Sequence, residues 1–156
     1  MMKKISIAII LVIAMMTVSN GITAGTGKKL AVGINYPGLG VRYGITDSVC
    51  MELKGQYQDD IIVAGLRSYK YFSSLSGVHP FVGIEADFVD FKGDQSEGSG
   101  IALEIYGGGE YFLTKNLSFQ LDIGPAYIAL SDKNYDVSED GIEFIANMGI
   151  NWYFSK

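Results

Sequence analysis

From about residue 29 to residue 154 the chain alternates apolar and polar side chains with a period of two, the repeat of a β-strand with two unlike faces. The last segment is the clearest: Ile142, Phe144, Ala146, Met148, Ile150, Trp152 and Phe154 share one face, and Glu143, Asn147, Gly149 and Asn151 the other. Leu117, Phe119, Leu121 and Ile123 oppose Ser118, Gln120, Asp122 and Gly124 in the same way, and Ile101, Leu103 and Ile105 oppose Ala102, Glu104 and Tyr106. Earlier, Val49, Met51, Leu53 and Tyr57 oppose Cys50, Glu52, Lys54 and Gln56, while Leu39, Val41, Tyr43 and Ile45 oppose Gly40, Arg42 and Gly44. Segments 29–36, 61–72 and 79–91 complete a set of eight, the last two alternating less cleanly, as strands with bulges do. The pattern predicts an all-β fold, an eight-stranded antiparallel up-and-down barrel.

The connections fall into two kinds. Thr46-Asp47-Ser48 and Thr114-Lys115-Asn116 read as tight polar turns, whereas Gln95 to Gly100 and Ser131 to Gly141 read as longer, mobile loops. Counting strands alternately up and down places 46–48, 73–78 and 114–116 on the rim that carries both termini, and 37–38, 58–60, 92–100 and 131–141 on the other. An internal echo relates Tyr43, Ile45, Thr46, Val49, Glu52 and Leu53 to Tyr111, Leu113, Thr114, Leu117, Gln120 and Leu121.

Ahead of this pattern stand Met1-Met2-Lys3-Lys4, an apolar run from Ile5 to Met16 broken only by Ser6, and a small, polar stretch from Thr17 to Ala24. This order of charged, apolar and small residues is that of a secretory signal peptide, and the apolar run falls short of the roughly 20 residues a membrane-spanning helix needs. Residues 1–24 are therefore expected to be a cleaved leader and 25–156 the barrel domain, with Ala24 or Gly21 before the cut. Without Lys3 and Lys4, ten basic residues remain against 17 acidic ones, a net charge of −7, which has the wrong sign for a nucleic-acid partner. The single Cys50 excludes an intramolecular disulfide.

Periodicity does not say which face is inside. A soluble barrel buries its apolar face, and a membrane barrel turns it outward to lipid. Here the apolar face is bulky while the opposing face mixes Gly and Ala with charges, and an eight-stranded interior has room only for side chains. That points to a charged, side-chain-filled lumen of Arg42, Glu52, Lys54, Arg67, Glu85, Asp87, Glu104, Glu110, Asp122 and Glu143. Tyr43, Tyr111, Phe112, Trp152, Tyr153 and Phe154, all near the rim of the termini, suggest an aromatic girdle at a bilayer surface.

The stretch Asn147-Met148-Gly149-Ile150-Asn151-Trp152-Tyr153-Phe154 resembles the β-signal of outer-membrane proteins, a polar residue, a Gly and two aromatics at set spacing. That motif commonly closes the chain, whereas Ser155 and Lys156 follow it here. Across 28–154 the pattern is similar to the small outer-membrane β-barrel proteins related to OmpX and to the membrane domain of OmpA. The resemblance implies a bacterial outer-membrane location with bilayer lipid as partner. It also implies recognition of Asn147, Gly149, Trp152 and Phe154 by the barrel-assembly machinery.

Catalytic signals are weak. Enzymes among similar barrels modify lipid A with a His and a Ser near the outer leaflet, but the only His, His79, is placed near the opposite rim and is followed by Pro80-Phe81. Cys50 lacks a companion His, and Gly107-Gly108-Gly109 sits in a strand pattern with no helix after it. Asp94 to Glu97 and Asp132 to Asp140 could bridge divalent cations to lipopolysaccharide phosphates, against a plainer reading as solvated acidic loops. The expectation is a non-enzymatic outer-membrane barrel without cofactor or metal, acting in envelope structure or surface interaction through loops whose partner the sequence does not name. The alternatives are a lipid A-modifying barrel enzyme and a soluble periplasmic lipocalin-like barrel around a small apolar ligand.

Overall fold

A computed structural model describes residues 27, 29–93, 97–133 and 137–154. The leader read at 1–24 lies outside the described residues. Eight strands close into one antiparallel barrel in which each strand pairs with its neighbours in sequence and the last with the first. They are β1 (Leu30–Tyr36), β2 (Gly38–Gly44), β3 (Val49–Gln58), β4 (Ile61–Tyr71), β5 (Val78–Lys92), β6 (Glu97–Phe112), β7 (Leu117–Asp132) and β8 (Val137–Phe154). No helix occurs among the described residues. Closure removes the free edges that would expose an open sheet to edge-to-edge pairing.

One rim, here the turn rim, carries 45–48, 72–77 and 113–116, and the hairpin rim carries Pro37, Asp59-Asp60, Gly93 and Lys133. The echo between the two turn sequences has a physical cause. Thr46 Oγ1 accepts hydrogen bonds from the amides of Ser48 and Val49, and Thr114 Oγ1 from those of Asn116 and Leu117, at 3.2 and 3.0 Å in both turns. A threonine hydroxyl that mimics a backbone turn acceptor closes each hairpin. On the other rim Asp59 and Asp60 hold φ of 47° and 64°, the pair of positive values a two-residue hairpin requires.

Two expectations need correction. The loops read at 92–100 and 131–141 are mostly strand, because β6 already begins at Glu97, β7 runs to Asp132 and β8 begins at Val137. Gly, Ser, Asp and Glu there have weak strand preference, but pairing with an ordered neighbour overrides it. The bulges expected in 61–72 and 79–91 are absent, since β4 and β5 pair without interruption from Ile61↔Phe91 to Tyr71↔Phe81. Their irregular alternation arises because Tyr69, Tyr71 and Phe81 are buried on the face that elsewhere carries charges.

Paired residues share a face, so the ladder sorts every strand. Leu53, Leu66, Ala86, Leu103 and Tyr127 form one outward row through β3 to β7, and Glu52, Arg67, Glu85, Glu104 and Ala126 the adjacent inward row. The outward row is exposed, Leu53 by 67%, whereas Glu52 and Arg67 are exposed by 1%. The core is thus polar and the surface apolar, the inverse of a soluble barrel.

Candidate functional site

Among the described residues polar chemistry collects in the lumen, which is built in two tiers. In the tier nearer the turn rim Arg42 on β2 reaches across the barrel. Its Nη2 donates to Glu52 Oε2 at 2.7 Å, Tyr69 Oη at 3.0 Å and Gln120 Oε1 at 2.7 Å, and its Nη1 to the hydroxyls of Tyr71 and Tyr153 at 3.3 Å. The guanidinium carbon lies 4.3 Å from the centre of the Tyr69 ring, so one cation is held by a carboxylate and a π-face together.

Tyr71 and Tyr153 pass the contact on. Their hydroxyls donate to Glu110 at 2.5 and 2.8 Å, and Ser118 donates to the same carboxylate. Glu52 is likewise supplied by Asn35 and Tyr69. Each buried acid of this tier accepts several hydrogen bonds in addition to facing a cation, which is what makes a buried ion pair tolerable. Strands β1, β2, β3, β4, β6, β7 and β8 all contribute, so the tier ties opposite walls together.

In the second tier Arg67 takes the central place. Its Nη2 donates to Asp122 Oδ1 at 2.8 Å, and its Nε lies 2.7 Å from Glu85 Oε2 but off the N–H axis, so that contact is ionic. Lys54 pairs with Glu85 and stands 3.6 Å from Asp87. Gln120 joins the tiers, accepting from Arg42 and donating to Asp122 at 2.8 Å. Glu104 alone of these acids has no cation within ion-pair distance among the described residues; it is buried, and its Oε1 accepts a hydrogen bond from no protein group.

Nine of the ten charges read from the sequence as luminal meet inside: Arg42, Glu52, Lys54, Arg67, Glu85, Asp87, Glu104, Glu110 and Asp122. Glu143 does not join them. It has the inward parity of β8, yet it is exposed, because β1 ends where Tyr36 pairs with Met148 and leaves no wall beside Glu143 on that side. The girdle also needs correction, since Tyr153 and the neighbouring Phe112 belong to the inward face, their rings 5.3 Å apart, leaving Tyr43, Tyr111, Trp152 and Phe154 outside. Of the residues read as an assembly signal, Asn147 points inward to Asp122 at 3.0 Å, Gly149 backs onto Asn35, and Trp152 and Phe154 face out.

The sequence reading set Tyr106 on the face of Glu104 but missed the other luminal tyrosines. Tyr69, Tyr71 and Tyr153 share the parity of the luminal charges, which was the available signal, but a small interior suggested small residues there. Tyr69, Tyr71, Phe81 and Tyr106 pack edge-on and stacked at centroid distances of 5.3 to 6.2 Å, and Cys50 is buried against them. His79 sits edge-on to Phe112 at 5.5 Å. Among the described residues no three His, Cys, Asp or Glu are placed to hold a metal ion together. Compared with known proteins, the chain matches no family model and no curated sequence.

Proposed function

We propose that this chain is a non-enzymatic β-barrel of a bacterial outer membrane, sealed by its own side chains, that acts in envelope structure or surface contact through its hairpin rim. The observation that carries this reading is the distribution of charge on the outward face. Lys70 stands near the turn rim, and Asp90, Lys92, Glu97 and Asp140 lie toward the hairpin rim. Between these ends every outward position of the described strands is uncharged, with Ile34, Leu39, Leu53, Ile105, Ile123 and Ile150 among the exposed side chains. Water would not tolerate an apolar belt that encircles a whole molecule, whereas hydrocarbon would.

The outward Tyr43, Tyr111, Trp152 and Phe154 near the turn rim support the same reading, since aromatic side chains collect where hydrocarbon meets water. So does the resemblance of 147–154 to an assembly signal, the outward aromatics being open to a partner before the barrel closes.

The deciding experiment combines fractionation with electrophoresis. The protein is expected to sediment with outer membranes and, taken up in mild detergent, to migrate differently before and after boiling. Recovery as a soluble periplasmic protein with no such shift would overturn the reading.

A further inference from the structure

We infer that the hairpin-rim end of the lumen is a binding site for an organic ammonium ion with an apolar arm, its nitrogen held by Glu104 and Asp87. Six carboxylates are gathered inside the lumen, Glu52, Glu85, Asp87, Glu104, Glu110 and Asp122, with three cations, Arg42, Lys54 and Arg67. Arg42 takes Glu52 and Glu110, Arg67 takes Glu85 and Asp122, and Lys54 takes Glu85 and Asp87. Glu104 is left over. It is exposed by only 4%, pairs across strands with another acid, Glu85, and its buried Oε1 has no protein donor. Asp87 Oδ1, one step along the adjacent strand, is a second buried acceptor without a donor.

Two unfilled carboxylate oxygens call for N–H donors and positive charge, and an ammonium group supplies three donors with no acceptor. A divalent metal is the poorer match, because the described residues place no three ligating side chains together.

Access comes from the hairpin rim. Among the ion-paired side chains of the second tier, Lys54 and Asp87 are the least covered, at 11% and 12%, so they form the outer surface of the plug. The inward positions beside Glu104 and Asp87 include the small Ala126 and Ala102, while Asp87 Oδ1 itself lies over Gly65. Further out the inward face turns apolar on three strands, with half-buried Val63, Val89 and Ile128. An acidic floor beside an apolar wall matches an alkyl ammonium and rejects anions and bare polar solutes.

The site is tested on the folded barrel in zwitterionic detergent by titrating hexylammonium chloride in a calorimeter, with hexanol to measure uptake by the micelles and calcium chloride as an inorganic cation. Saturable one-to-one binding is expected for hexylammonium alone. It should weaken about tenfold or more in Glu104→Gln, which keeps shape and removes the charge. Ala102→Leu should weaken it as well by filling the approach without altering any charge, and it decides the matter if Glu104→Gln fails to fold. The proposal is overturned if hexylammonium behaves like hexanol, if calcium gives the same isotherm, or if the folded variants bind as the parent does.

Discussion

At the scale of single residues the decisive fact is that Arg42 and Glu110, exposed by 1% and 0%, are stable inside a protein only because each is surrounded by complementary groups. Removing one partner of such a set leaves the others charged and uncompensated, which costs about 3–5 kcal/mol. Arg42→Met is therefore expected to destabilise the barrel by that amount in urea titrations of the protein folded into lipid vesicles. Combining it with Glu52→Gln and Glu110→Gln should return much of the loss, since the carboxylates then no longer need a cation. Additive losses in the triple variant would mean that the tier is held by packing of Tyr69, Tyr71 and Tyr153 and not by charge. The tier was half legible beforehand: parity assigned Arg42, Glu52 and Glu110 to one face, but nothing in the chain says that Tyr153 of the last strand meets Arg42 of the second.

At the scale of elements the strands are unequal. β1 and β2 have 7 residues each, whereas β7 and β8 have 16 and 18. A tilted strand needs roughly 9–11 residues to cross a bilayer, so on the proposed outer-membrane reading the β1–β2 hairpin calls for a hydrocarbon layer thinner than average on its side of the barrel. Folding into vesicles of 12-carbon lipids is expected to be faster and more complete than into 18-carbon lipids, as followed by the gel shift on boiling. Equal yields in both would show that β1 and β2 accommodate a bilayer of ordinary thickness. The same inequality leaves β8 from Val137 to Asn147 paired on one side only, because β1 stops at Tyr36. Glu139, Asp140 and Glu143 lie on that stretch, where charge discourages pairing with a stray strand. Strand identity was readable from alternation, but strand length was not. Gly98, Ser99, Ser131 and Ser138 resemble loop residues, and only their partners across the ladder make them strand.

At the scale of the whole molecule the lumen is closed by cross-barrel contacts, Arg42 on β2 to Gln120 on β7 and Arg67 on β4 to Asp122 on β7. A barrel of this strand number leaves no aqueous channel once such side chains meet. Planar-bilayer recordings of the purified protein are expected to show no discrete conductance steps, and steps of stable size would mean that the two tiers separate in the membrane.

What the sequence determined by itself is, for most strand residues, which side chains share a face, because a period of two leaves only two choices per strand and every neighbour repeats the same choice. It also determined the turn chemistry, since Thr46 and Thr114 act on amides two and three residues away. What only the tertiary structure decided is who meets whom inside. The groups that satisfy Arg42 come from residues up to 111 positions away, and Glu104 is left without a donor by the sum of all the other pairings. Local periodicity carries no information on such distances. The closed ring and its register bring those side chains together, and a hydrogen bond acts only within about 3 Å.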